Sequence, residues 1–218
     1  MFEMEQKQVL EAIKKVREGP KKKFLQSIEL IINLKEIDTK KEEGKIEEFV
    51  VLPAGRGKAA KVCALIGPEM KDIASKICDH YLLQGDFAKL DKREIRKLAR
   101  DFDYFIAQAN VMPDVAKTFA RYFSPIGKMP SLKSGHVVPP KANIEPLVKN
   151  LRNTVRLVIK KAPVFQTLVG NETMKDEELA QNILTLINAA KARLPQGQHN
   201  IRSVLIKTTM GVPIKITA

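Results

Sequence analysis

IEEFVVLPAGRGK, residues 46–58, is where the character of the chain changes. Residues 46–52 read as a strand, and LPAGRGK (52–58) reads as a connection marked by one proline and two glycines. Before it the elements are long. Val9, Ala12, Ile13 and Val16 fall at helical spacing and predict an amphipathic helix over 4–18, stopped by Gly19-Pro20. Ile28, Leu30, Ile32 and Leu34 then alternate with Ser27, Glu29, Ile31 and Asn33, a strand with one buried face.

Beyond residue 58 the elements shorten. KVCALI (61–66) is a continuous apolar run, as in a strand covered on both faces. Residues 69–83 and 91–99 read as helices, FDYFIAQ (102–108) as a strand, and Pro113 opens a helix running through Phe123. A loop rich in glycine and proline spans 124–140. This order predicts an α/β layer with a mostly parallel sheet. After a short helix at 144–150 the long elements return. NTVRLVIKK (153–161) and VFQTLVG (164–170) read as a strand pair, and Asp176 is expected to cap a helix with Leu179, Ile183, Leu184, Leu186 and Ile187 on its core face. The two ends share a style that the middle lacks. One domain is therefore expected from residues 1–54 and 152–218, with a second inserted over 55–151, and the paired crossings suggest a hinge.

The 218 residues carry a formal charge of +13. Residues 1–54 are neutral, while 55–151 carry +7 and 152–218 carry +6. Such a balance predicts attraction to polyanions, nucleic acid first and an anionic membrane second. Cys63 and Cys78 form no CxxC pair, and His80, His136 and His199 are scattered, so no metal site or disulfide framework is implied. They read as buried thiols in a reducing cytosol. No apolar run approaches the roughly 18 residues of a spanning helix, and the charged first turns rule out a signal sequence. A cytoplasmic protein is expected. Neither GRGK nor Gly127-Lys128 has the serine or threonine, or the spacing, of a phosphate loop. No catalytic constellation is visible, and no cofactor is expected. A nucleotide-binding enzyme using the inserted domain is the alternative. Binding of DNA or membrane by charge alone is a third reading.

RSVLIKTTMGVPIKI (202–216) places Thr208-Thr209-Met210-Gly211 between two apolar runs. Hairpins usually turn on Asn-Gly or Asp-Gly. Here hydroxyls, a thioether and a glycine sit at the turn. Two readings stand open on the residues alone: an ordinary hairpin with a half-buried methionine, or a surface for RNA. RNA is read through shape, 2′-hydroxyls and stacking. Thr208 or Thr209 would bond 2′-hydroxyls, Met210 would pack on a sugar or base, and Gly211 would permit close approach. Lys21-Lys22-Lys23 beside Phe24, Ser27 and Glu29 is either a solvated loop or the edge of the same platform.

These segments carry a resemblance. KKFLQSIELIINL, VVLPAGRGK, FSPIGKMPSLKSG and RSVLIKTTMGVPIKI together closely resemble the ribosomal protein L-one family, over nearly the whole chain, and the archaeal branch more than the bacterial. The resemblance implies a terminal domain that binds the stalk region of large-subunit rRNA. It also implies a role in release of deacylated tRNA from the exit site, and repression of the chain's own mRNA through an operator that mimics the rRNA site. Carried over by position, the RNA contacts are Lys23, Phe24, Ser27, Glu29, Lys161, Ser203, Thr208, Thr209, Met210 and Gly211. Where bacterial members carry an Asp-Lys-Thr-Gly turn, this chain reads Lys160-Lys161-Ala162-Pro163. Strict alternation puts Phe24 opposite Ser27 and Glu29, so it lies at a frayed strand end or in the core. The expected fold is α/β: an α+β terminal domain with a split β-α-β sheet, plus an inserted three-layer Rossmann-like α/β domain. A non-enzymatic monomer outside the ribosome is expected, with no membrane partner.

Overall fold

A computed structural model describes residues 6–19, 22–38, 46–132, 134–140, 142–159 and 162–216. In chain order the elements are α1 (Gln6–Arg17), β1 (Ser27–Leu34), β2 (Glu47–Val51), β3 (Val62–Ile66), α2 (Lys71–Ile77), β4 (His80–Leu83), α3 (Lys92–Asp101), β5 (Tyr104–Gln108), α4 (Met112–Phe123), β6 (Val137–Val138), α5 (Glu145–Asn153), β7 (Thr154–Val158), β8 (Val164–Asn171), α6 (Asp176–Arg193), β9 (Ile201–Thr208) and β10 (Ile214–Ile216). The chain forms two compact units, Met1–Ala59 with Asn153–Ala218, and Ala60–Arg152.

In the first unit a four-stranded sheet runs in the order β10-β9-β1-β8. Both β8 and β9 pair antiparallel with β1. They are therefore parallel to each other, and β8-α6-β9 is a β-α-β crossover split by β1. The period-2 pattern of β1 is obeyed at every residue: Ile28, Leu30, Ile32 and Leu34 are buried and the four between them are half-exposed. The buried face meets Val9, Ile13 and Val16 of α1 and Leu179, Ile183, Leu186 and Ile187 of α6 in one apolar core. Each such side chain stabilises by about 1.5–3 kcal/mol when fully buried. β2 pairs antiparallel with β7 in a separate ribbon.

In the second unit the sheet order is β4-β3-β5-β6, with every ladder parallel. All five residues of β3 and of β5 are buried, as a sheet covered on both faces requires. Phe105 of β5 stacks on Phe123 of α4 at 4.1 Å between ring centres, and Phe119 meets Phe87 edge-on at 5.1 Å. The mixed α/β class expected from the sequence is the one observed.

Three local expectations are corrected. Residues 69–83 are not one helix. α2 ends at Ile77, and His80–Leu83 pairs with Cys63–Ile66. Asp79 breaks the helix because its carboxylate accepts the Val62 N–H at 2.8 Å and its own N–H donates to the Val62 carbonyl at 3.1 Å. β7 and β8 are not a strand pair: β7 pairs with β2, and β8 with β1. Asp176 does not cap α6 but is its first residue. The Lys175 N–H is taken by the Glu178 carboxylate at 3.1 Å, and Asp176 instead pairs with Arg17 Nε at 2.7 Å.

Candidate nucleic-acid interface

The outward face of the first sheet is set by strand parity. On β1 it presents Ser27, Glu29, Ile31 and Asn33; on β9, Ser203, Leu205 and Lys207. Register puts Glu29 opposite Lys207 and Asn33 opposite Ser203. The pairs interact: Lys207 Nζ lies 3.8 Å from the Glu29 carboxylate, and Asn33 Nδ2 donates to Ser203 Oγ at 2.9 Å. Gln166 of β8 donates to the same Glu29 carboxylate at 3.1 Å. Glu29 is thus held from both neighbouring strands, with cation and amide on either side.

At the end of this face the β9–β10 hairpin turns through Thr208-Thr209-Met210-Gly211. The Gly211 N–H closes it by donating to the Thr208 carbonyl at 3.1 Å. Thr209 extends the ladder past the end of β9. Its N–H donates to the Ser27 carbonyl at 3.0 Å, and its hydroxyl donates to that carbonyl at 3.2 Å and accepts the Ser27 N–H at 3.1 Å. The Met210 N–H donates to Gln26 Oε1 at 3.1 Å. All three successive amides of the tip therefore have partners within the chain. The tip is not a nest of open N–H groups for phosphate. What it offers outward is side chain: Met210 is 62% exposed. One acceptor position on the Thr209 hydroxyl is left by the contacts above.

Phe24 precedes β1 and is 53% exposed, so it lies ahead of the strand and is not core. Lys22, Lys23 and Leu25 are exposed in the same segment. Thr208 differs from the expectation. It is only 5% exposed, on the same face of β9 as Val204 and Ile206, so the hydroxyl at the surface is that of Thr209 alone. The glycine has an internal reason as well. A Cβ at residue 211 would lie 2.2 Å from Thr208 Oγ1, so the turn closes over Thr208 only without a side chain there. Lys161 lies outside the described residues. Sequence reading brought together Ser27, Glu29, Ser203, Thr209 and Met210. It missed Lys207, which parity with Ser203 could have found, and Gln26 and Gln166, for which pattern gives no signal.

The glycine loops serve the fold. LPAGRGK joins β2 to β3, two strands, whereas a phosphate loop leads into a helix N-terminus. Asn182, fully buried in α6, accepts the Ala54 N–H at 3.2 Å and donates to the carbonyls of Gly55 and Val169 at 2.8 and 3.0 Å. Gly57 has φ +76°, and a Cβ there would sit 2.6 Å from Asn171 Cγ. Lys128 of the second glycine loop donates to the carbonyls of Ala99 and Phe102 at 2.9 and 2.6 Å, closing the C-terminus of α3. Among the described residues no group of three or more histidines, cysteines and carboxylates has the placement of a metal site, and no helix is long and apolar enough to cross a membrane.

Comparison with known proteins gives the family. Residues 12–212 match the family described as "Ribosomal protein L1p/L10e family". The chain belongs to that family. Similar relatives carry the name "Large ribosomal subunit protein uL1". The one from Nanoarchaeum equitans is 42% identical over 211 residues, covering 95% of this chain and 98% of the relative. Those from Pyrococcus horikoshii and Methanothermococcus thermolithotrophicus are 38% and 39% identical over 216 residues, covering 97% and 98% of this chain and 96% and 99% of theirs. The match spans both compact units, so the family assignment covers the sheet with the Thr-Met-Gly tip as well as the parallel α/β unit.

Proposed function

We propose that this chain is a structural component of the large ribosomal subunit that binds the stalk region of its rRNA. The surface in this reading is the outward face of β1 and β9 with the tip at Thr209-Met210-Gly211 and the approach at Lys23 and Phe24. The observation that carries it is the tip itself. A large apolar side chain is held out to solvent by a backbone in which every amide is internally bonded. A tip already held in place by its own hydrogen bonds has less conformational freedom to lose on binding. Acceptors and a soft apolar tip suit sugar edges and base faces, and the lysines supply salt-dependent affinity. In this reading the RNA-binding domain is the unit built from both chain ends, Met1–Ala59 with Asn153–Ala218, and Ala60–Arg152 is the insertion.

Two finer roles belong to the same reading. The chain assists departure of deacylated tRNA from the exit site, and it represses translation of its own mRNA by binding an operator that resembles the rRNA site. It does no chemistry, acts as a monomer outside the ribosome, and works in the cytoplasm. A competition experiment tests the shared-site part. A transcript of the chain's own mRNA leader should displace a labelled stalk rRNA fragment, and Met210→Asp should weaken both. A leader that binds without displacing the fragment contradicts a common site.

A further inference from the structure

Gln26 is 2% exposed, although the residues on either side of it are open to solvent or half-exposed. Each of its four polar groups has a partner. Its backbone N–H donates to Glu172 Oε2 at 3.3 Å, its carbonyl accepts the Glu172 N–H at 3.1 Å, and its Nε2 donates to Glu172 Oε1 at 2.9 Å. Its Oε1 accepts the Met210 N–H at 3.1 Å. An ionised carboxylate only accepts, so Glu172 dictates which end of the Gln26 amide faces it. The other end, an acceptor, is thereby turned toward the tip. Were the amide reversed, two donors would face each other at Met210.

Glu172 is itself tied down. Its carbonyl accepts from Arg17 at 2.7 Å, the Met174 carbonyl accepts from the same guanidinium, and Arg17 Nε pairs with Asp176 at 2.7 Å. The last residue of α1 and the first of α6 thus fix the loop that orients Gln26.

We propose that Gln26 and Glu172 are positioning residues for RNA recognition: the carboxylate orients the buried amide, and the amide sets the Met210 peptide and with it the direction of the exposed tip. This rests on the reading of the tip as the RNA surface. Neither residue needs to touch RNA.

The test exchanges the two groups. Gln26→Glu sets two carboxylates face to face. The exchange Gln26→Glu with Glu172→Gln restores every donor and acceptor with the charge moved across. Each variant is titrated with a stalk-region rRNA transcript, and amide spectra of the free proteins are recorded with their unfolding midpoints. Gln26→Glu should weaken binding about tenfold. It should also shift the Met210 and Gly211 amide resonances in the absence of RNA. Glu172→Gln should weaken binding less, and the exchange should return affinity to within about threefold of the parent. The slope of affinity against salt should not change, because no phosphate contact is removed. If Gln26→Glu does not fold, recovery of parental affinity by the exchange relative to Glu172→Gln carries the same conclusion. Unmoved Met210 and Gly211 resonances with unchanged affinity would overturn the proposal. So would lower unfolding midpoints with parental affinity in the folded protein, or an exchange no better than the single variants. Met210→Asp runs alongside. If it binds as the parent does, the RNA reading of the tip fails; if it alone loses binding, only the positioning role fails.

Discussion

Thr209 holds both backbone polar groups of Ser27, accepting its N–H at 3.1 Å and donating hydroxyl and amide to its carbonyl at 3.2 and 3.0 Å. One side chain thereby joins the tip of the last hairpin to the first residue of β1. Its hydroxyl is structural and outward-facing at once. Thr209→Val removes the hydroxyl and keeps the shape. It should cost about 1 kcal/mol in urea unfolding and roughly tenfold in affinity for stalk rRNA. Thr209→Ser keeps the hydroxyl and should stay near the parent in both. Equal behaviour of the two variants would show that the hydroxyl does not matter.

Gly211 is required by its neighbour. Gly211→Ala brings a methyl within 2.2 Å of Thr208 Oγ1 and should destabilise by about 1–3 kcal/mol. Combining it with Thr208→Ala removes the colliding atom, so the double variant should recover part of that loss. A double variant whose loss equals the sum of the two singles contradicts the collision.

Lys128 closes α3 through the carbonyls of Ala99 and Phe102, and burial lowers its pKa against the opposing pull of Asp103. Lys128→Met leaves two carbonyls without that donor and should destabilise the parallel α/β unit by about 1–3 kcal/mol. Stalk rRNA binding should be unchanged on the present reading. Urea unfolding and filter binding on one preparation check both statements.

The β1 face was legible because a strand with one buried side writes its burial as strict alternation, and residues 27–34 keep it without exception. Val9, Ala12, Ile13 and Val16 were legible for the corresponding helical reason. β4 was not: HYLL has strand-forming residues but is four long, and only its parallel partner β3 decides its state. Pairing of β7 with β2 joins segments about a hundred residues apart, which local pattern cannot report. Gln26 stands one residue ahead of the first strand and belongs to no periodic pattern. Its burial comes from Glu172 and Met210, both distant in sequence. Phe24 was undecided by parity because it precedes the strand and so obeys no alternation.

Burial pushes the Cys78 thiol up from 9.0 to about 11, Asp79 adding to the rise and Arg152 opposing it; burial raises Cys63 further. A raised thiol pKa means less thiolate at pH 8, about a hundredfold less for Cys78 than in the unfolded chain. Reaction with a chromogenic disulfide reagent at pH 8 should be slow in the native protein, fast in urea, and faster in the native protein as pH approaches 11. The linkage has a definite sign. Above pH 9 the unfolded thiol loses its proton before the folded one, so this contribution to stability falls as pH rises from 9 toward 11. Native thiols that react at the unfolded rate at pH 8 would contradict the burial.

The most direct measurement is a filter-binding titration against a stalk-region rRNA fragment and its DNA equivalent, from low to high salt, with Met210→Asp beside the parent. The predicted result is tight RNA binding that survives high salt, fails with DNA and drops sharply in the variant. Equal binding to RNA and DNA, vanishing with salt and indifferent to the substitution, would mean that the +13 charge accounts for binding and the tip is only a hairpin.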